Sequence, residues 1–329
     1  MMDLVALRSL VAVARDGSVV SAAAGLGYTP SAISQQIKKL ESQAGVALLE
    51  RVGRGVVLTE PGRLLVERAE AILAQLEELT ASVQAGQGRP TGRLRVAAFS
   101  TAVRGLVAEA VHDLGVAAPE VQVGLVEMDP WDALAAVAAG QVDLAVVHNW
   151  EPIPLNVPVH LRIRSLGTDI ADVLVPHDHP LAGRRWVTAA ALADQHWVSV
   201  PEGSICHQWL TTMLRSVGTE PRISHWSAEF ASHVELVGHG VATALVPRLG
   251  RGPLPATVRA LSVRDPVPTR TVSVAWRATM AESPALRTGL EILTRLGRTH
   301  LAHPAHRDRL PSAGPNTTAT RKSGSTATK

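Results

Sequence analysis

Residues 18–41 read SVVSAAAGLGYTPSAISQQIKKLE, and this stretch predicts two short helices joined by a tight turn. Ser18 stands where a helix cap is needed, and Ala22, Ala23 and Leu26 give the first helix a close-packing face. Gly25 and Gly27 supply the backbone freedom of a sharp turn. Thr29 then caps a second helix, with Pro30 at its first position, where a missing N–H costs nothing. Ile33, Ile37 and Leu40 recur at helical spacing and face inward. Ser31, Ser34, Gln35 and Lys38 are left on the outer face. Short hydrogen-bonding side chains on an exposed helix suit the floor of the DNA major groove, which admits a helix and displays donors and acceptors.

Outward from this pair, DLVALRSLVAVAR (3–15) carries Leu4, Leu7, Leu10, Val11 and Ala14 at helical spacing, as a supporting helix would. ERVGRGVVLT (50–59) alternates and contains two glycines, which predicts a small β-hairpin, a wing. From it Arg51 and Arg54 can reach phosphate or the minor groove, against the plainer reading of two surface arginines. Thr59 caps a long helix with Pro61 near its start. In that helix Leu65, Ala69, Ile72, Leu76, Leu79 and Val83 alternate steps of four and three, the spacing of a coiled-coil seam. The seam predicts dimerisation in preference to a helix packed only on its own domain.

These residues together carry a resemblance. Asp3-Leu4 with Leu7 and Leu10, Asp16-Gly17-Ser18, Ala22-Ala23, TPSAISQQIKKLE (29–41), Gly45-Val46, Leu49-Glu50-Arg51 and Leu58-Thr59-Glu60-Pro61-Gly62 resemble the N-terminal module of LysR-type transcriptional regulators. The resemblance covers residues 2–85 with specific motifs and continues to about residue 300 in pattern and length. It implies pairing of two chains through the long helix, in a homodimer or homotetramer. There are departures. Positions near Leu10 and Val19, often Phe in the family, are aliphatic here. Pro30 replaces a frequent Gln, and Gln35 a frequent Arg, so base preference does not carry over from relatives.

Composition sets the outer bounds. The chain has 329 residues, 46% hydrophobic and 19% charged, enough for more than one domain with sizeable cores. No run of about 18 apolar residues occurs, so no membrane span is expected. The N-terminus lacks the charged-then-apolar pattern of a signal segment, which predicts cytoplasmic residence. Cys206 is the single cysteine, which excludes an intrachain disulfide and a cysteine cage for zinc. The pI of about 9.5 says little about DNA. Arg307, Arg309, Arg321, Lys322 and Lys329 against Asp308 make residues 301–329 +4; the whole chain is +3, so residues 1–300 carry −1. The DNA expectation rests on local charge instead. No acid lies between Gly17 and Leu40, Lys38 and Lys39 are basic, and doubling the phosphate contacts in a dimer strengthens binding.

The fold class expected is α+β and multidomain. A winged helix-turn-helix occupies 1–60, a dimerisation linker helix 61–86, a Gly- and Pro-rich hinge 87–92 and a two-lobed α/β domain 93–300. The first lobe takes 93–162 and 268–300, the second 163–267, and the resemblance makes the whole periplasmic-binding-protein-like. Residues 301–329, rich in Pro, Ser, Thr, Ala and Gly, predict a disordered tail.

In open α/β sheets ligands sit beyond the carboxyl ends of strands, which here puts an effector in a cleft between the lobes. Ser100 and Thr101 follow the first strand at a helix N-terminus, where an anion such as a carboxylate is favoured. His148 and Asn149 end the third strand. Glu202, Gly203 and Ser204 lie between a strand and a helix, and Trp226 ends another strand. Each has a plainer role: Ser100 a cap, His148 a loop residue, Glu202 an exposed acid, Trp226 lobe packing. Cys206, near a helix N-terminus, lacks a second cysteine to resolve it as a redox sensor.

Enzyme signatures are missing from the sequence. HExxH, the P-loop, the GxSxG elbow and a dinucleotide fingerprint do not occur, so no catalytic residue, cofactor or metal ligand is assigned. The reading is a sequence-specific regulator of transcription that binds double-stranded DNA and a small-molecule effector. The other reading is a cytoplasmic small-molecule binding protein without DNA-binding activity.

Overall fold

The structure, a computed structural model, describes residues 2–53, 55–86, 89–151 and 153–301. Arg54 and the segment 302–329 lie outside the described residues, and so do the expectations attached to them. The chain forms two compact units. Among the described residues the first comprises 2–148, 155–166 and 272–297, and the second comprises 149–154, 167–271 and 298–301.

The first unit opens with three helices. Asp3 caps α1 (Leu4–Asp16) by accepting from the Val5 N–H at 2.9 Å, and Gly17 ends it with φ +64°. Ser18 caps α2 (Val19–Leu26). The turn beyond α2 uses Gly27, at φ +71°, whereas Gly25 lies inside the helix. The Tyr28 N–H reaches back to the Ala23 carbonyl at 2.9 Å, a closure that keeps α2 helical through Gly25. Thr29 caps α3 (Pro30–Ala44) by accepting from the Ala32 N–H at 3.2 Å.

An isolated helix of this length is marginal in water. Ile33, Ile37 and Leu40 anchor α3 in a core shared with Leu7, Leu10, Val13, Ala22, Ala23 and Leu48. At about 2 kcal/mol for each buried aliphatic side chain, this stripe outweighs the modest helix propensity of a segment rich in Ser and Gln.

The wing is an antiparallel pair, β1 (Leu49–Val52) and β2 (Gly55–Leu58), with Leu49 opposite Leu58. Thr59 then does two jobs. Its hydroxyl donates to the Ala47 carbonyl at 2.8 Å and accepts from the Gly62 N–H at 3.0 Å. The base of the wing is thereby tied to the start of α4 (Glu60–Ala85).

Along α4 the expected seam separates into two parts. Ala69 is buried in the core of the DNA module, with Leu65 packed against that core. Ile72, Leu79 and Val83 are 44%, 60% and 61% exposed, and Leu76 is half-buried. The heptad spacing is therefore shared between intrachain packing at its start and an outward apolar stripe beyond it.

The rest of the first unit is a sheet in the order β4-β3-β5-β12. β3 (Gly92–Ala98) runs parallel to both β4 (Val121–Glu127) and β5 (Leu144–Trp150). β3 leads into α5 (Ser100–Ala102), a π-helical turn (Val103–Val107) and α6 (Ala108–Ala117). α7 (Pro130–Ala138) precedes β5, and α10 (Pro284–His300) closes the unit.

The second unit orders its main strands β6-β10-β8-β9. They are β6 (Leu161–Pro176), β8 (His196–Ser199), β9 (Arg222–Trp226) and β10 (Thr243–Pro247), with α8 (Ile205–Arg215) and α9 (Phe230–Gly238) between them. β8 is parallel to β9 and β10, and β10 is antiparallel to β6. Two strands absent from the sequence reading are β7 (Trp186–Thr188) and β11 (Val258–Arg264), which pair with each other, β11 also with β6. β6 and β12 (Thr269–Arg277) each run from one unit into the other. Within the second unit Arg270, fully buried, pairs with Asp169 at 2.7 Å. The other Asp169 oxygen accepts from the Leu249 and Ile170 N–H groups, so neither charge is left uncompensated.

A Cβ built on Gly62 would lie 2.2 Å from the Leu48 carbonyl oxygen. Backbone cannot yield as a flexible side chain would, so Gly62→Ala must push α4 away from the base of the wing. The expected loss is about 1–3 kcal/mol of stability, measured by urea denaturation of the full chain, and an unchanged midpoint would contradict this packing.

Candidate functional site

The polar edge of α3 faces solvent. Thr29, Pro30, Ser31, Ser34, Gln35 and Lys38 are all exposed, directly opposite the buried stripe. Three hydroxyls are partly engaged within the helix. Thr29 Oγ1 lies 3.0 Å from Ser31 Oγ, and Ser34 Oγ donates to the Pro30 carbonyl at 2.9 Å. Gln35 and Lys38 make no hydrogen bond or ion pair among the described residues, so a full amide and a full cation remain for an external partner. Lys39 differs: its ammonium is held 2.8 Å from Asp3 Oδ2, and this pair draws the Asp3 carboxyl below the usual range. Arg51 is exposed on the wing.

Two further side chains set the orientation of this edge, and the sequence reading did not single them out. Glu41 Oε1 accepts from the Leu48 N–H at 2.9 Å and the Leu49 N–H at 3.3 Å, pinning the first wing residues to the last turn of α3. Ser9 on α1 donates to the side-chain oxygen of Gln36. Both contacts link residues on different elements, and no local spacing rule announces them.

The effector candidates fall on separate units. On the first unit, Ser100 begins α5, and Phe99 stands before it as a cap with no side-chain hydrogen bond. Thr101 is buried. His148 is not a loop residue, because β5 continues to Trp150. Its ring is buried edge-on to Phe99, with centroids 4.5 Å apart. The structure therefore gives His148 a packing role that the strand-end expectation did not contain.

On the second unit, Asn149 is half-buried, Glu202 and Gly203 are exposed, and Gly203 takes φ +83°. Ser204 caps α8. It accepts from the His207 N–H at 3.4 Å and donates to the Pro201 carbonyl at 2.7 Å. Trp226 is half-exposed with its ring 5.4 Å from that of His207.

The second unit also contains a recess of roughly 310 Å3, its mouth included. Trp150, Ser199, Cys206, Phe230, His233 and Pro247 are among the residues that line it. The recess lies where β8 ends and α8 and α9 begin. His233 was missed because a single histidine on an apolar helix has no motif. Its Nε2 meets the Ser227 carbonyl at 2.9 Å, and its buried Nδ1 has no hydrogen-bond partner. The carbonyl can only accept, so Nε2 carries the proton and Nδ1 is a bare acceptor. Burial depresses the imidazole pKa, and the bond to Ser227 opposes this only in part.

No group of three or more His, Cys, Asp or Glu side chains among the described residues is placed to hold a metal ion. No helix among them is long and apolar enough to cross a membrane.

Residues 4–63 match the family model described as bacterial regulatory helix-turn-helix protein, lysR family, and residues 87–298 match that of the LysR substrate binding domain. The small neutral protease regulatory protein of Streptomyces lividans is 32% identical over 286 residues, 85% of this chain and 80% of that protein. The HTH-type transcriptional regulator TtuA of Agrobacterium vitis is 27% identical over 75% of this chain and 81% of its own length. Among solved structures, a full-length OxyR variant from Pseudomonas aeruginosa shares the fold, with TM-score 0.64, 24% identity and coverage of 91% of this chain and 95% of that one. Full-length CbnR complexed with its target DNA aligns with TM-score 0.51 at 21% identity, over 90% of this chain and 100% of that one. With the two family models matching residues 4–63 and 87–298, the chain belongs to the LysR family of transcriptional regulators, DNA-binding through its N-terminal helix-turn-helix and effector-binding through its C-terminal domain.

Proposed function

We propose that this chain is a cytoplasmic one-component regulator without enzymatic turnover. It reads operator DNA through Thr29, Pro30, Ser31, Ser34, Gln35 and Lys38, with Arg51 and Arg54 on the phosphate backbone. One observation carries the reading: an exposed amide and an exposed ammonium, Gln35 and Lys38, stand unpartnered on a helix whose opposite face is locked into a core. A binding protein with no DNA to read gains nothing from holding that edge free. Gln35 suits adenine, which an amide engages bidentately, and Lys38 suits the O6 and N7 acceptors of guanine in the groove.

Pairing follows from the outward stripe of α4. Ile72, Leu79 and Val83, with Leu76 beside them, expose apolar surface that a second copy would bury, in a dimer or a tetramer; Leu65 flanks the stripe at the DNA-module end. For the effector, the first unit offers Ser100, Thr101 and His148. The second offers Asn149, Glu202, Gly203, Ser204 and Trp226, to which the recess adds His233 and Cys206. The bare Nδ1 of His233 asks for a hydrogen-bond donor, so a carboxylate anion is a poor match for that recess. An anion is better matched by the first turn of α5, beginning at Ser100.

Two substitutions separate reading from anchoring. In gel shifts on the DNA upstream of the gene, Gln35→Ala should lose about 1–3 kcal/mol of discrimination between cognate and scrambled sites. Arg51→Ala should weaken binding to both sites alike and reduce the salt slope by about one for each contact removed. Equal behaviour of the two variants would sink the assignment of the reading edge.

The buried histidine generates a pH prediction. Its folded pKa lies below the unfolded value of about 6.5, so between the two the unfolded chain binds more protons. Stability is then full above pH 6.5 and falls as pH drops below it. His233→Leu should flatten the acid side of a plot of melting temperature against pH. A slope identical to that of the unaltered protein would show that His233 does not titrate on unfolding.

A further inference from the structure

Four charged side chains and a threonine meet in the first unit, far apart in sequence. Glu77 lies on the inward face of α4, and Arg277 is the last residue of β12. The guanidinium is nearly buried and grips both Glu77 oxygens, with Nη2 at 2.7 Å and Nε at 2.9–3.0 Å. Thr279 also donates to Glu77. On its other side Arg277 Nη1 donates to the Val137 and Val142 carbonyls at 2.6 Å each, and Nη2 reaches Asp143 at 3.2 Å. Asp143 is in turn held by Arg95 of β3 at 2.6 Å. The loop between α7 and β5 also abuts α2, since a Cβ on Gly25 would lie 2.6 Å from Gln141 Nε2.

The two ends of this network are unequal. Arg277 keeps two carbonyls through Nη1 and Asp143 through Nη2 even without Glu77, so on the α/β side only its Nε–H loses its acceptor. Glu77 is the only acid of α4 in the network. Arg277 also stands at the end of a strand whose first residues, through Thr271, belong to the other unit. A change there has a short covalent path to the guanidinium.

We propose that the Glu77–Arg277 pair is a releasable latch holding the linker helix on the α/β part of the first unit, and that the regulator changes state by opening it. The proposal rests on the regulator reading above. A partly buried, bidentate pair suits the role, because it is specific in geometry while its Coulomb gain is largely offset by desolvation. Opening it returns Glu77 to water and leaves Arg277 still held at Nη1 and Nη2, at the cost of the Nε–H acceptor.

The test compares the full-length protein with Glu77→Ala and Glu77→Gln. Three quantities are read: retardation of the upstream DNA fragment, amide exchange along α4 and at 277–280, and promoter output without added metabolite. Glu77→Ala should still retard the fragment, exchange about tenfold faster around residue 77, and shift output about fivefold or more. Glu77→Gln, which keeps an oxygen toward Arg277, should fall between. Bound fragment with unchanged exchange and output in Glu77→Ala overturns the latch and leaves the regulator reading standing. Failure of the unaltered protein to bind the fragment overturns that reading and the latch with it. Loss of a cooperative melting transition in Glu77→Ala shows an obligate structural contact, which also overturns a releasable one.

Discussion

Everything the DNA module does depends on how α3 is seated. A reading helix must expose hydrogen-bonding side chains on one face, and those residues favour caps and turns more than helix interiors. The opposing stripe of Ile33, Ile37 and Leu40 supplies the compensation, through a core built with α1, α2 and the base of the wing. That core also fixes direction. Because Leu48 belongs to it, the wing starts at a set place relative to α3, and Glu41 locks the same junction by accepting two N–H groups there. The position of Arg51 is therefore a consequence of the packing beneath Gln35.

Thr59 and Gly62 extend the same logic to the linker helix. One hydroxyl serves as wing tie and helix cap, and the glycine lets α4 approach the Leu48 carbonyl more closely than any side chain permits. α4 leaves the DNA module at an angle set by backbone contact. The exposed apolar stripe at Ile72, Leu79 and Val83 continues along the same helix, so its direction relative to α3 is set by these contacts.

Much of this was legible in the sequence because it is local. The caps at Ser18, Thr29 and Thr59, the inward triplet of α3 and the hairpin all follow from spacing within a few residues. The alternating strands and helices of the α/β part were legible for the same reason. What escaped depends on distance or on sharing. Gly25 looked like a turn residue because two glycines flank Leu26, but the bond from Tyr28 to Ala23 keeps it helical. Ala69 fits the seam spacing, yet a small residue at that point is where α4 meets its own core. β7 has three residues and forms only because β11 is there to pair with it. His148 and His233 carry no motif, and their burial is decided by neighbours on other elements.

Charge placement shows the same division most sharply. Composition gave the tail its +4 and the rest almost none, which says nothing about where charges are spent. In the folded chain, several buried acids sit on or beside the strands that run between the units: Asp169 with Arg270, Asp172 with Arg248 and Arg251, Asp143 with Arg277 and Arg95. If stability alone were selected, apolar side chains of similar volume would serve these positions as well or better. A buried pair differs from an apolar contact in its geometry: it is strong at one register and costly at the next. Placed along β6 and β12, such pairs fix the register of those strands against their neighbours.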